Sequence, residues 1–221
     1  MFSEIFRPVC SSCGEYSEDS SAFCNECVEK VRELNRFCVS CGHPLNVKAL
    51  TCAYCSSKSY DKLYTDYLYS GPVKDLLRKI KFSYGVRGIF FLGQMIRQDK
   101  SLFAGYDVIV PVPSHYSRRL RRVVHPAEVF AKFIAELHGQ KTEHLLSRAR
   151  KTGYQWKLKK KQRIKNVRGA FVMKGSCEGQ KVLIIDDIYT TGSTVNECAR
   201  VLKKHGAKQV DVYAFACSGN Y

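Results

Sequence analysis

The sequence predicts a parallel α/β sheet domain preceded by a small metal-binding module. Three observations carry this expectation. Eight of the 11 cysteines lie within the first 55 residues, as four C-x-x-C pairs. Downstream, short apolar runs of strand length alternate with segments of helical spacing. One of those runs, Lys181–Ile185, leads into two adjacent acids, a hydroxyl-rich loop with one glycine, and then a helical pattern.

The cysteine pairs are Cys10/Cys13, Cys24/Cys27, Cys38/Cys41 and Cys52/Cys55, whose first members repeat with a strict period of 14. Each C-x-x-C turn presents two sulfurs to one ion, and two turns complete a tetrahedral thiolate site of the kind zinc prefers. Gly14 and Gly42 each follow a second cysteine, where the knuckle favours positive φ. A redox role is the competing reading of C-x-x-C, but that role uses one pair on a βαβ unit rather than four in tandem. Neighbouring pairs would give two closed, structural zinc sites, and interleaved pairing fits the spacing as well. Residues 1–60 form this module. The small, polar stretch 56–61 marks its boundary with a second module over 61–221.

Composition narrows the function classes. A hydrophobic fraction of 45% supports a real core. The chain has no run of about 18 uncharged apolar residues and no basic-then-apolar leader, so a cytoplasmic protein without membrane insertion is expected. The formal net charge is +16. Eight thiolates and two dications would lower it to +12, still basic enough to favour phosphate-rich partners.

Along the second module, residues 62–69 suggest a strand, and Val73, Leu76, Leu77 and Ile80 a helix after Gly71-Pro72. A second helix is expected over 86–98. Asp107–Pro113 reads as a buried strand ending in a loop. Phe130, Phe133, Ile134 and Leu137 mark one face of a helix starting near Pro126, and Thr142–Leu146 is a short strand. Lys181–Ile185 reads as a fully buried strand, Thr194–His205 as a helix with Thr194 and Glu197 at capping-box spacing, and Val210–Ala216 as a further strand. Cys177, Cys198 and Cys217 stand singly and read as ordinary core or surface residues.

The segment Val182–Thr194 carries the chemistry. Loop amides and hydroxyls at a helix N-terminus form an anion site, with Thr190, Thr191, Ser193 and Thr194 as hydroxyl donors. Gly192 lets the backbone approach a phosphate closely. Asp186 and Asp187, at a strand's C-terminal end, suit ribose hydroxyls or a Mg²⁺-linked network. The pattern G-x-x-x-x-G-K-[ST] is absent, so this is not a P-loop.

The segment resembles the 13-residue motif of type I phosphoribosyltransferases. The resemblance implies a Rossmann-like parallel sheet that binds phosphoribosyl pyrophosphate with Mg²⁺ through Asp186, Asp187, Tyr189, Thr190, Thr191, Gly192, Ser193 and Thr194. It also implies a pyrophosphate loop, for which Val112, Pro113 and Ser114, with Arg118 and Arg119 after them, are well placed. A solvated helix face is the competing reading of those arginines.

Together the cysteine array and this motif resemble the ComF family of competence proteins. Ile80-Lys81-Phe82, Val110-Pro111-Val112-Pro113, Arg148, Thr152, Gln155, Arg163, Asn166 and Ala170-Phe171 support the resemblance. Arg122–Pro126 departs from the family's usual sequence, lacking its glycine and amide residue. Membership implies handling of single-stranded DNA during natural transformation, with DNA-uptake or DNA-processing proteins as partners, and does not imply turnover.

From His144 to Cys177 there is no acid, while Arg148, Lys151, Lys159, Lys160, Lys161 and Arg163 are among 11 cations, interleaved with Tyr154 and Trp156. Basic grooves with aromatic platforms hold single strands without sequence readout. An active-site lid directed at pyrophosphate is the competing reading. Three functions follow: a binding factor for DNA uptake, an enzyme transferring phosphoribosyl to a base or amine, and a ligand-sensing regulator. Thr190 occupies the position where 6-oxopurine enzymes carry a carboxylate, and threonine is no general base near neutral pH.

Overall fold

A computed structural model of the protein describes residues 9–17, 21–45, 51–53, 55–82, 91–93, 95–96, 103–114, 124–149 and 167–219. A short helix α1 (Asn25–Val28) belongs to the cysteine-rich module. The sheet domain follows with β1 (Leu63–Leu68), α2 (Gly71–Phe82), β2 (Val108–Pro111), α3 (Pro126–His138), β3 (Leu146–Arg148), β4 (Phe171–Met173), β5 (Lys181–Tyr189), α4 (Ser193–Lys204) and β6 (Gln209–Cys217). The expected parallel sheet is present in the order β1-β6-β5-β2, with every pairing parallel.

Alternation along the two apolar strands explains the layers. Val182 and Ile184 face one core with Val108, Val110, Val210 and Val212, against Val195, Cys198, Ala199 and Leu202 of α4. Leu183 and Ile185 face the other with Ile109, Tyr213 and Phe215, against Val73, Leu76, Leu77 and Ile80 of α2 and Phe130, Ala131 and Ile134 of α3. Strands apolar on both faces must be covered on both, which gives a helix–sheet–helix sandwich. Pro126 opens α3 at its first turn, and Gly139 closes it at φ 63°. Cys177, Cys198 and Cys217 are all buried.

Several expectations shift. β5 runs to Tyr189, not Ile185, because β6 pairs with it as far as Cys217. The N-cap of α4 is Gly192, with no side-chain cap, so the capping box does not form. Glu197 instead accepts the Gly169 N–H at 2.7 Å and pairs with Arg200 at 2.7 Å. On α3, Leu137 is exposed, and Ala131 and Ala135 complete the buried face. The strand expected at 142–146 lies at Leu146–Arg148, antiparallel to β4, and Thr142 makes only an isolated bridge to Ile109. Of the helix expected over 86–98, residues 91–93 are helical and most of the remainder lies outside the described residues. Among the described residues no helix is long and apolar enough to cross a membrane.

The cysteine-rich module lies along the sheet's edge. Leu34 N–H donates to Asp66 O and Leu68 N–H to Arg32 O, each at 2.8 Å, so residues 32–34 run antiparallel beside β1. Leu63 N–H donates to Cys41 O at 2.8 Å. Gly42 sits at φ 68° against this strand, where a Cβ would overlap the Leu63 backbone. The polar stretch at 56–61 is likewise tied down: Ser59 N–H donates to Asn196 Oδ1 at 2.6 Å, Asp61 exchanges bonds with Val210, and Tyr60 is buried.

Candidate functional site

The parallel pairing places the C-terminal ends of β2 and β5 side by side. Ligands in open α/β sheets bind outside those ends. Asp186 and Asp187 lie in the C-terminal half of β5, half-buried. Asp186 Oδ1 accepts the Asp187 N–H at 2.9 Å, and Asp187 Oδ1 accepts the Ile188 N–H at 3.0 Å. Burial, then the neighbouring Asp187 charge, push the Asp186 carboxyl well above the ordinary carboxylate range. The second acid is matched by a cation: Lys81, at the end of α2, forms an ion pair with Asp187. In the sequence Lys81 stands out only within Ile80-Lys81-Phe82. Nothing local in the sequence connects it to Asp187; only the fold brings them together.

The loop after β5 turns tightly into α4. Gly192 has φ 69°, and Asn196 N–H donates to its carbonyl at 2.8 Å. Thr191 Oγ1 and Ser193 Oγ lie 2.9 Å apart. Thr190, Thr191 and Thr194 are partly exposed, while Gly192 and Ser193 are buried. No acid occupies the first turn of α4, which leaves its N-terminal dipole end free of a competing carboxylate. Tyr189 differs from the others: its ring is buried beneath Gly192, and its hydroxyl lies 3.0 Å from that of Tyr60. Any contact it makes with a ligand therefore falls to its backbone. Burial raises the Tyr189 hydroxyl to about 12 and raises that of Tyr60 further, so both stay neutral.

Beside this loop, Val112 N–H donates to Ile185 O at 2.9 Å, and Ser114 Oγ lies 3.2 Å from His125 Nδ1. Val112 is thus bonded to the residue before Asp186, with Pro113 and Ser114 following it. Arg118 and Arg119 lie outside the described residues. So do Lys151, Trp156, Lys159, Lys160, Lys161 and Arg163. Arg148 is half-buried at the end of β3, its guanidinium 5.2 Å from the Phe171 ring centroid. The β3–β4 pair brackets the basic segment, and Glu197 of α4 holds its far end at Gly169.

The eight N-terminal cysteines form two tetrads, Cys10/Cys13/Cys24/Cys27 and Cys38/Cys41/Cys52/Cys55, so neighbouring pairs join and interleaving does not occur. Within each, the sulfurs all lie within 4.8 Å of one another. A tetrahedral zinc ion with bonds of about 2.3 Å would hold its sulfurs roughly 3.8 Å apart. Cys13 and Cys24 approach to 3.6 Å, Cys41 and Cys52 to 3.5 Å, and Cys38 and Cys55 to 3.4 Å. Ser12 N–H points at Cys10 Sγ (3.4 Å), and Cys52 N–H at Cys38 Sγ (3.3 Å), the donors thiolates need. Lys58 Nζ adds a cation 3.3 Å from Cys41 Sγ. Donor set and spacing fit structural zinc at both tetrads.

Comparison with known proteins agrees with both halves. A family model described as a double zinc ribbon matches residues 10–56, and one described as a phosphoribosyl transferase domain matches residues 127–220. DNA utilization protein YhgH of Escherichia coli (strain K12) is 30% identical over 182 residues, covering 78% of this chain and 80% of that one. Competence protein F of Haemophilus influenzae is 26% identical over 187 residues, covering 79% and 82%. Among solved structures, a purine phosphoribosyltransferase from Pyrococcus horikoshii Ot3 is 18% identical, with a TM-score of 0.33 over 58% of this chain and 69% of that one. The chain belongs to the ComF family, in which a double zinc ribbon precedes a phosphoribosyltransferase domain.

Proposed function

We propose that this protein binds phosphoribosyl pyrophosphate with Mg²⁺ and handles single-stranded DNA in the cytoplasm during DNA uptake, its ribbon module (1–60) and sheet domain (61–221) acting together. The observation that carries the reading is one stretch of chain: two acids in the C-terminal half of β5, then a hydroxyl loop turning at Gly192 into the N-terminus of α4. Asp186 and Asp187 would take the ribose hydroxyls. The amides and hydroxyls of Thr190 to Thr194 would take the 5-phosphate. Val112 to Ser114, with Arg118 and Arg119, would face the diphosphate. The basic segment, from Arg148 through Lys151, Trp156, Lys159, Lys160 and Lys161 to Arg163, would hold the single strand. The names of the two relatives, a DNA utilization protein and a competence protein, support the DNA role.

Calorimetry of the full chain with phosphoribosyl pyrophosphate and Mg²⁺ tests the first half. Wild type gives a saturable heat, and Asp186→Ala/Asp187→Ala gives none; a wild type that gives no heat refutes the reading. For the second half, single-strand binding weakens with salt and with charge reversal at Lys159, Lys160 and Lys161. The same preparation, offered a panel of bases and amines, releases no pyrophosphate if binding rather than transfer is its work.

A further inference from the structure

We propose that the second cysteine tetrad scaffolds the phosphate loop, with Tyr60 as the positioning residue that couples metal at Cys38, Cys41, Cys52 and Cys55 to affinity for the phosphorylated sugar. This rests on the sugar-phosphate site proposed above. A continuous series of contacts carries it. Lys58 Nζ donates to Cys41 Sγ at 3.3 Å and lies 5.4 Å from the centroid of the Tyr60 ring. The Tyr60 hydroxyl is 3.0 Å from that of Tyr189. His43, two residues after Cys41, meets the Tyr189 ring edge-on at 5.8 Å. Tyr189 in turn supports Gly192 so closely that a Cβ there would stand 2.6 Å from its Cζ. A parallel route runs from Ser59 through Asn196 Oδ1 (2.6 Å), and Asn196 N–H holds the Gly192 carbonyl at 2.8 Å.

Among the described residues the first tetrad contacts α2, the helix whose Lys81 pairs with Asp187, rather than Tyr60, Tyr189 or the Gly192 turn. Its knuckle touches α2, through Ser12 Oγ to Asp75 (2.8 Å) and Lys79 Nζ to Ser12 O (3.3 Å). Cys10 and Cys27 pack into the core that α2 and α3 share, on the opposite face of the sheet from α4.

Short zinc knuckles draw their folding free energy from the ion. Without it, the turn carrying Cys41 and His43 keeps its backbone bonds, Leu63 N–H to Cys41 O and Cys38 N–H to His43 O, but loses the ion that gathers its four sulfurs, which loosens the neighbours of Tyr60 and Tyr189. Linkage requires the converse: ligand at the loop must tighten metal at this tetrad.

The test uses the zinc-loaded full chain, titrated with a chromophoric chelator with and without saturating Mg²⁺ and phosphoribosyl pyrophosphate. Lys58→Met, which removes the cation beside Cys41 Sγ and over the Tyr60 ring, perturbs the second tetrad and so identifies which step of zinc loss is which. The ligand should raise the chelator concentration needed for the second tetrad by about fivefold or more, and that for the first by much less. Tyr60→Phe, which keeps the ring, should abolish that rise and weaken ligand binding by about fivefold. Ligand binding with an unchanged second step overturns the inference and leaves the proposed function standing. So does a rise shared equally by both tetrads, which ligand stabilisation of the whole chain would give. Normal binding by Tyr60→Phe also overturns it. No ligand binding by wild type overturns both.

Discussion

Gly192→Ala probes the proposed phosphate loop with a single methyl group. Gly192 has φ 69° and ψ 0°, a left-handed conformation that costs an L residue about 1–2 kcal/mol. The added Cβ would also meet Tyr189, 2.6 Å from Cζ and 2.7 Å from Cε2. That ring cannot retreat easily: it is 3% exposed and its hydroxyl is held by Tyr60. Overpacking of this kind costs about 1–3 kcal/mol. The sum, about 2–5 kcal/mol, corresponds to a fall in Tm of roughly 4–20 °C for a chain of this size. Thermal unfolding followed by circular dichroism gives the stability loss, and calorimetry with phosphoribosyl pyrophosphate and Mg²⁺ gives the loss of binding. In a Tyr189→Phe background the nearest atom to the new methyl is gone, so the same substitution should cost less. A Gly192→Ala protein that melts and binds like wild type would refute both the strained turn and its role in holding a phosphate.

Two further predictions concern the acids. Asp186 has a folded pKa raised above its ordinary value of 3.8 by burial and by Asp187, so the folded state holds its proton more tightly than the unfolded chain. Its contribution therefore favours folding in acid and is lost as pH rises through the folded value. Asp186→Asn should accordingly stabilise the protein at neutral pH by about 0.5–2 kcal/mol, with the gain shrinking toward pH 4, while abolishing sugar-phosphate binding; denaturant titrations across that pH range, showing no gain at neutral pH, would count against it. Lys81→Met removes the partner of Asp187 from a site where their side chains are 12% and 17% exposed. Breaking a fully buried pair costs about 3–5 kcal/mol, and this partial exposure reduces the expected loss to about 1–3 kcal/mol. Adding Asp187→Asn should recover part of that loss, and a double variant no more stable than Lys81→Met would contradict the pairing.

The order of elements and the site's main stretch were legible because they are local. Lys181–Ile185 is apolar on both faces, and only a strand covered on both sides needs that pattern. The cysteine period gave two tetrads but left their pairing open, and convergence of the sulfurs decided it. What stayed hidden depends on distant partners. The acids looked like the end of β5, yet pairing with β6 carries the strand through Tyr189. β4 is three residues long, too short for a periodic signal, and exists because β3 lies beside it. Thr194 and Glu197 have capping-box spacing, but Glu197 is drawn away to Gly169 and Arg200. Composition made residues 56–61 look like a spacer, since three serines and a lysine outweigh the one buried tyrosine. Lys81 and Tyr60 have no sequence signal tying them to the site; tertiary structure alone assigns them.

Residues 32–34 seal the outer margin of β1 with antiparallel bonds from Leu34 to Asp66 and from Leu68 to Arg32. A fragment beginning near residue 60 would keep its sheet but lose that seal. The bared Asp66 carbonyl and Leu68 amide would then invite a strand from another molecule. Such a fragment should self-associate on purification, and attempts to study the proposed sugar-phosphate site without its ribbons would meet aggregates before they met ligand.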